Sequence, residues 1–214
     1  MNEMSNFYDD PLGYVLSAFP WGVEGTELED EIGPNKWQID QMLRIQRAIR
    51  DDPEGFQVRE AMVCDHGEGK SAMTSWIILW VMSTRPYSGG IVTSNTAHQL
   101  RETWKELAKW HKLSINSHWF TWSATKFGHN NCHGAWGMVA IPSSKSKPEA
   151  FAGMVSKHPL VIIDGASIVP DVIWEVMESC TACPMSIWLT YDRVIPSQGR
   201  FKECFTPLCE WAHN

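Results

Sequence analysis

Between residues 60 and 83 an apolar run, a glycine-rich turn closing on Lys-Ser and a helix-length apolar stretch follow one another without a break. Glu60-Ala-Met-Val-Cys64 reads as a short strand, Asp65-His-Gly-Glu-Gly-Lys-Ser71 as the turn, and Ala72 to Ser83 as a helix buried over most of its surface. Few folds accept that order. A strand entering a buried helix through glycines aims the first backbone N–H groups of the helix at one spot, where the helix dipole also favours an anion. Gly67 and Gly69 allow the backbone to approach a phosphate closely; Lys70 would neutralise its oxygens and Ser71 would hold Mg²⁺. The usual spacing asks for glycine at position 64, where this chain has Cys64.

The rest of the chain alternates in a compatible way. Gly90 to Ser94, Trp136 to Ile141, Pro159 to Asp164 and Ser186 to Tyr191 are predicted strands, apolar throughout. Helices are predicted from Trp37 to Arg50, with Ile39, Met42, Leu43 and Ile49 inward, and from Asp171 to Ser179. A third runs from Thr96 to Lys112, with Leu100, Trp104, Leu107, Ala108 and His111 inward. Strands alternating with helices imply an α/β fold, a mostly parallel twisted sheet of five or more strands between helices. Asp164 ends the clearest strand, where a P-loop fold keeps its second Mg²⁺-holding acid. Residues 1–36, rich in Asp, Glu, Gly and Pro, read as an irregular lead-in, residues 37–205 as the domain and residues 206–214 as a tail.

Composition removes several classes. At 214 residues the chain is one ordinary domain or two small ones, and 43% hydrophobic with 20% charged residues excludes disorder. A net charge of −7 excludes a uniformly basic nucleic-acid coat, although a local basic patch survives that test. There is no apolar stretch of about 18 residues, and the acidic start MNEMSNFYDDPLGY lacks a signal-peptide pattern, so a cytosolic chain is expected. The six cysteines suit a reducing compartment. Cys180-x2-Cys183 with Cys204-x4-Cys209 could be four zinc thiolates, and His129, Cys132 and His133 another metal cluster. The structural reading is the stronger one for both, because short Cys pairs are weak motifs. Arg101, Lys105, Lys109 and Lys112, at i, i+4, i+8 and i+11, share one helix face, and Ser143-Ser-Lys-Ser-Lys147 adds a basic loop. Such cations can track the phosphates of double-stranded DNA or form a solvated face beside Glu102 and Glu106.

Several motifs then fall in a familiar order. Gly33-Pro-x-x-Trp-Gln38, His66-Gly-x-Gly-Lys-Ser-Ala72, Trp76-Ile-Ile-Leu-Trp80 and Thr93-x-Asn-Thr96 with Gln99-Leu-Arg101 come first. Trp119-Phe-x-Trp-x-Ala-Thr-Lys-Phe127, Pro148-Glu-Ala-Phe-Ala-Gly153, Ile168-Val-Pro-Asp-Val-Ile-Trp-Glu175 and Gly199-Arg-Phe-x-Glu-Cys-Phe205 follow. Together they resemble the N-terminal ATPase domain of tailed-phage terminase large subunits, from about residue 7 to 205. The family's C-terminal nuclease has no counterpart in these residues.

The resemblance implies an additional-strand P-loop ATPase that binds Mg²⁺ and ATP and drives DNA into a procapsid. By it, Gln38 reads the adenine edge beside Trp37, and His66, Gly67, Gly69, Lys70 and Ser71 cradle the phosphates. Ser71 and Asp164 hold the metal, and Arg200 is a candidate charge-stabilising arginine. The implied partners are double-stranded DNA, the portal protein, the terminase small subunit and further copies in a ring. The implied place is the host bacterial cytoplasm, at the portal vertex. Departures cut the other way. Asp65 replaces a glycine, Glu68 adds a second carboxylate, and Gly165 stands where the family has the water-orienting Glu. In the coupling segment Asp192-Arg-Val194 replaces Gly-Asn-Pro. Hydrolysis near background is therefore expected, and a catalytically impaired binding subunit or a truncated, inactivated copy is the alternative.

Overall fold

A computed structural model describes residues 3–65, 67–132, 134–143, 148–152, 156–196 and 198–206. The elements run α1 (Pro11–Ala18), α2 (Lys36–Asp51), β1 (Gln57–Val63), α3 (Lys70–Thr84), β2 (Ser88–Ser94), α4 (Ala97–Leu113) and β3 (Phe120–Trp122). After these come β4 (Lys126–His129), β5 (Gly137–Ala140), β6 (His158–Asp164), α5 (Asp171–Thr181), β7 (Ser186–Asp192) and the short α6 (Arg200–Glu203). One seven-stranded sheet has the order β1-β7-β6-β2-β5-β4-β3. The first five are mutually parallel, as their unbroken apolar runs require when both faces are covered. The edge hairpin β3–β4 is antiparallel and was not foreseen; its strands are only three and four residues long.

The two-residue period of the strands sorts their side chains. Leu160 and Ile162 face one core with Val92, Leu189 and Tyr191, while Val161 and Ile163 face another with Ile91 and Trp188. The first core holds α2, α3 and α4, and the second holds α5 and α6. Asp164 continues the parity of Leu160 and Ile162, which sends its carboxylate to the side of α3 and α4.

The lead-in is irregular only in part: α1 interrupts it, and residues 19–35 run through turns. Asp10 caps α1 by accepting the Gly13 N–H, and Pro11 sits at the first helical position. Tyr14, Val15 and Phe19 are buried. Phe19, Trp21, Trp76 and Trp110 form one cluster, with ring centroids 4.9 Å apart for Trp76–Trp110 and 5.0 Å for Phe19–Trp110. α3 is apolar on every side because this segment covers the side that the sheet does not. α2 is turned from the predicted face, with Gln38, Gln41, Met42, Ile45 and Ile49 buried while Ile39 and Leu43 lie at the margin. In α4 the inward positions are Leu100, Thr103, Trp104, Leu107 and Trp110, so Thr103 and Trp110 replace the expected Ala108 and His111.

Candidate phosphate site

β1 ends at Val63, and α3 begins seven residues later at Lys70. Gly67 (φ +81°) and Gly69 (φ +88°) take left-handed backbone conformations that side chains with a Cβ resist. Gly69 is the N-cap of α3, so the first amides of the helix open at the end of the loop. Lys70 Nζ donates to the carbonyls of Cys64 (2.8 Å) and Asp65 (2.6 Å), and Glu68 Oε2 accepts the Asp65 N–H (3.0 Å). Two of the loop's charged side chains are thus engaged with the loop itself. Burial pushes the Cys64 thiol up to about 11, so Cys64 is a small neutral side chain at the foot of the loop.

A cavity of about 440 Å³ opens beside it, lined among others by Lys70, Ser71, Gln99, Thr103, Asp164 and Arg193. The chain turns β6 and α4 toward this point independently. Thr103 Oγ1, on the buried face of α4, donates to Asp164 Oδ2 at 3.0 Å and lies 3.4 Å from Ser71 Oγ. A single hydroxyl therefore joins the first turn of α3 to the end of β6. Burial holds the Asp164 carboxyl above the usual carboxylate range, opposed by the Thr103 and Gln99 hydrogen bonds and the charge of Lys70. Ser94, paired in register with Asp164, is fully buried and its Oγ has no hydrogen-bond partner among the described residues.

Asp192, at the end of β7, accepts the Ser167 N–H (2.7 Å) and the Arg193 N–H (2.6 Å). Its carboxylate thus ties the turn after Asp164 to the segment after β7. A second cavity of about 390 Å³ lies beside the first residues of β2, against Gly89, Gly90, Gly137 and Lys126. Small side chains and backbone line most of it, and no cluster of acids or bases.

No family model and no curated protein matches this chain. Solved structures do. The large-terminase ATPase domain of Thermus phage P74-26, in a point-mutant form, is similar with a TM-score of 0.59 and 17% identity, over 80% of this chain and 69% of that one. The large terminase of bacteriophage HK97 gives a TM-score of 0.61 at 12% identity. That match covers 86% of this chain and 37% of the HK97 chain. The fold is that of phage large-terminase ATPase domains.

On this terminase-like framework Gly67, Gly69, Lys70, Ser71 and Asp164 line one cavity. His66 lies outside the described residues, as do Ser144 to Lys147 of the basic loop. Trp37 and Gln38 reach the loop rather than open solvent. Trp37 Nε1 donates to Glu68 O (2.9 Å), and Gln38 Nε2 to Gly69 O (3.1 Å). Arg200 does not line the cavity; Glu178 and Glu203 hold its guanidinium on the other side of the sheet. Arg101, Lys105, Lys109 and Lys112 are exposed on the outer side of α4, with Lys105 paired to Glu102.

Thr103, Asp192 and Arg193 are the site residues that sequence reasoning missed. For Thr103 the signal existed, a polar residue inside an apolar helical stripe. For Asp192 and Arg193 it existed only as a departure from the family pattern. Among the described residues no three His, Cys, Asp or Glu side chains could together hold a metal ion. No helix among them is long and apolar enough to cross a membrane.

Proposed function

We propose that this chain is a nucleotide-binding motor domain of the phage DNA-packaging kind, a terminase large-subunit ATPase domain that takes up Mg²⁺ and ATP beside α3. The observation that carries the reading is the meeting of Lys70, Ser71, Thr103 and Asp164 in one cavity at the ends of β1 and β6. On this reading Lys70 leaves the Cys64 and Asp65 carbonyls to meet phosphate oxygens, and the amides at the start of α3 receive a phosphate.

The donors present suit a hard cation that keeps most of its water: one hydroxyl, one carboxylate and the unpartnered Ser94 hydroxyl nearby. Ser71 and Asp164 would hold Mg²⁺ together with phosphate oxygens; when bound it offsets the negative charge of the triphosphate. Thr103 keeps the Asp164 carboxylate turned toward Ser71. Double-stranded DNA along the α4 cations, a ring of copies, the portal protein and the small subunit complete the proposed setting. Arg200 has no role in this chain's own cavity.

A second reading, a subunit that binds nucleotide without turning it over, is favoured by the carboxylates of the cavity. Gly165 has no side chain. Asp164 is held by Thr103, Glu102 by Lys105, Glu106 by Trp110 and Asp192 by two amides. Each already accepts a hydrogen bond from the protein, and the position after Asp164 carries no side chain to orient an attacking water; losing a general base costs about 10²–10⁴ in rate. Calorimetry with Mg-ATP tests the binding. Lys70→Ala should abolish it, and equal affinity for the two proteins sinks the reading. Single-turnover phosphate release with and without DNA then decides between motor and binding subunit, with release near background expected.

A further inference from the structure

We infer that Asn35, Trp37 and Gln38 are positioning residues of the phosphate loop, acting by aiming two of its backbone amides; this rests on the reading of residues 64–71 as a phosphate cradle. Three donors at the start of α2 converge on two consecutive carbonyls. Asn35 Nδ2 (3.2 Å) and Trp37 Nε1 (2.9 Å) donate to Glu68 O, and Gln38 Nε2 (3.1 Å) donates to Gly69 O. Gln38 is buried and cannot swing freely. Its Oε1 accepts the Asn35 N–H (2.8 Å) while Asn35 Oδ1 accepts the Gln38 N–H (3.2 Å), the reciprocal pair of a capping box.

A trans peptide unit is planar, with the carbonyl oxygen of one residue and the N–H of the next on opposite sides. Drawing Glu68 O toward α2 therefore turns the Gly69 N–H away from α2. Gly69 O is drawn the same way and also accepts the Met73 N–H (3.0 Å), which turns the Lys70 N–H outward from the helix start. These are the two amides where an anion gains most from the end of α3. Gly69 serves this contact twice. Its left-handed φ needs glycine, and a Cβ at that position would stand 2.7 Å from Gln38 Nε2.

The inference differs from adenine reading in what it predicts. Gln38 spends one oxygen lone pair and one N–H on protein and is buried in that pose, so base reading would have to share its amide with the loop. A clamp on the loop should affect every phosphate ligand alike, with or without a base. The test is calorimetry on the full chain with inorganic tripolyphosphate, ATP and GTP, for wild type, Trp37→Phe, Gln38→Ala and Lys70→Ala. Trp37→Phe removes one donor and keeps the ring, so it guards against loss of fold.

Each of the first two substitutions should weaken all three ligands by the same factor, about fivefold for one neutral hydrogen bond. The Gly69 and Lys70 amide resonances should move in Trp37→Phe while those of the sheet stay in place. Weakening confined to ATP, with tripolyphosphate unchanged, overturns the clamp in favour of base reading. If Lys70→Ala loses tripolyphosphate while Trp37→Phe and Gln38→Ala bind it as wild type does, the clamp alone is overturned. Equal tripolyphosphate affinity in wild type and Lys70→Ala overturns the cradle reading and the clamp with it.

Discussion

The two faces of the sheet are covered unequally. On one, α3 is itself roofed by the lead-in, so that Trp76 and Trp80 are buried at a second remove from the strands. On the other a single main helix among the described residues, α5, lies at the surface. Val172 on it and Ile168, Val194 and Ile195 beside it remain 39%, 61%, 62% and 48% exposed. The phosphate loop and Asp164 belong to the thick face. Their side chains must be held in fixed relation, and close packing on both sides of α3 supplies that rigidity. The thin face carries the turns after β6 and β7, where Asp192 joins one to the other.

The largest effect expected is on the thick face. Trp80 is fully buried and its Nε1 donates to Phe7 O at 2.7 Å. Trp80→Ala should cost about 3–5 kcal/mol in denaturant unfolding. Val172→Ala on the thin face should stay within about 0.5 kcal/mol of wild type. Similar costs for the two would break the comparison.

Gly165 stands where the faces meet. Its φ of +72° is left-handed, although a Cβ there would meet nothing closer than Gln99 Nε2 at 3.4 Å. The obstacle to a side chain is backbone strain, not space. Gly165→Glu should lower stability by about 1–2 kcal/mol and restore only part of the phosphate release, whereas Gly165→Asn should cost less. A stable and fully active Gly165→Glu would show that the turn adapts freely.

Asp164 measures how dry the thick face is. Burial raises its pKa in the folded state. Such a group favours folding fully below its unfolded value, and that contribution is lost as pH rises through the raised folded value. Above that folded value the buried carboxyl therefore costs stability. Asp164→Asn should raise the thermal midpoint at pH 7, and the gain should fade as the pH drops below the raised value. A gain independent of pH would point to changed packing instead. The smallest stability effect, within about 0.5 kcal/mol, is expected for Lys105→Glu with Lys109→Glu, both on the solvent side of α4. If that face tracks DNA, the log–log salt dependence of duplex binding should flatten by about 0.9 for each phosphate contact removed. Unchanged binding would leave α4 with a solvated face.

The parallel strands and the loop were legible because burial on both faces and glycine conformation are written locally, in runs such as Leu160 to Ile163 and in Gly67 and Gly69. The β3–β4 hairpin was not, since three-residue strands at a sheet edge leave no periodicity to read. The lead-in was misread for a different reason. Its Asp, Glu, Gly and Pro suggested loop, while Tyr14, Phe19 and Trp21 are apolar residues whose partners lie far along the chain. At the site, residue types announced Lys70, Ser71 and Asp164. The path from Ser71 through Thr103 depends on how α4 is rotated, which only packing decides.

The docking of the lead-in has a consequence for synthesis. Arg85 is fully buried, its guanidinium 4.1 Å from the centroid of the Tyr8 ring and 4.2 Å from that of Trp80, and it donates to Tyr8 O. Burial brings its pKa down to about 10. Tyr8 leaves the ribosome 77 residues ahead of Arg85 and 177 ahead of Met185, whose sulfur accepts its hydroxyl. This aromatic segment must therefore wait for its partners until α3 has emerged. During that interval Phe7, Tyr8 and Tyr14 form a sticky segment of the sort that chaperones bind, and a chain stalled before residue 80 would keep it exposed.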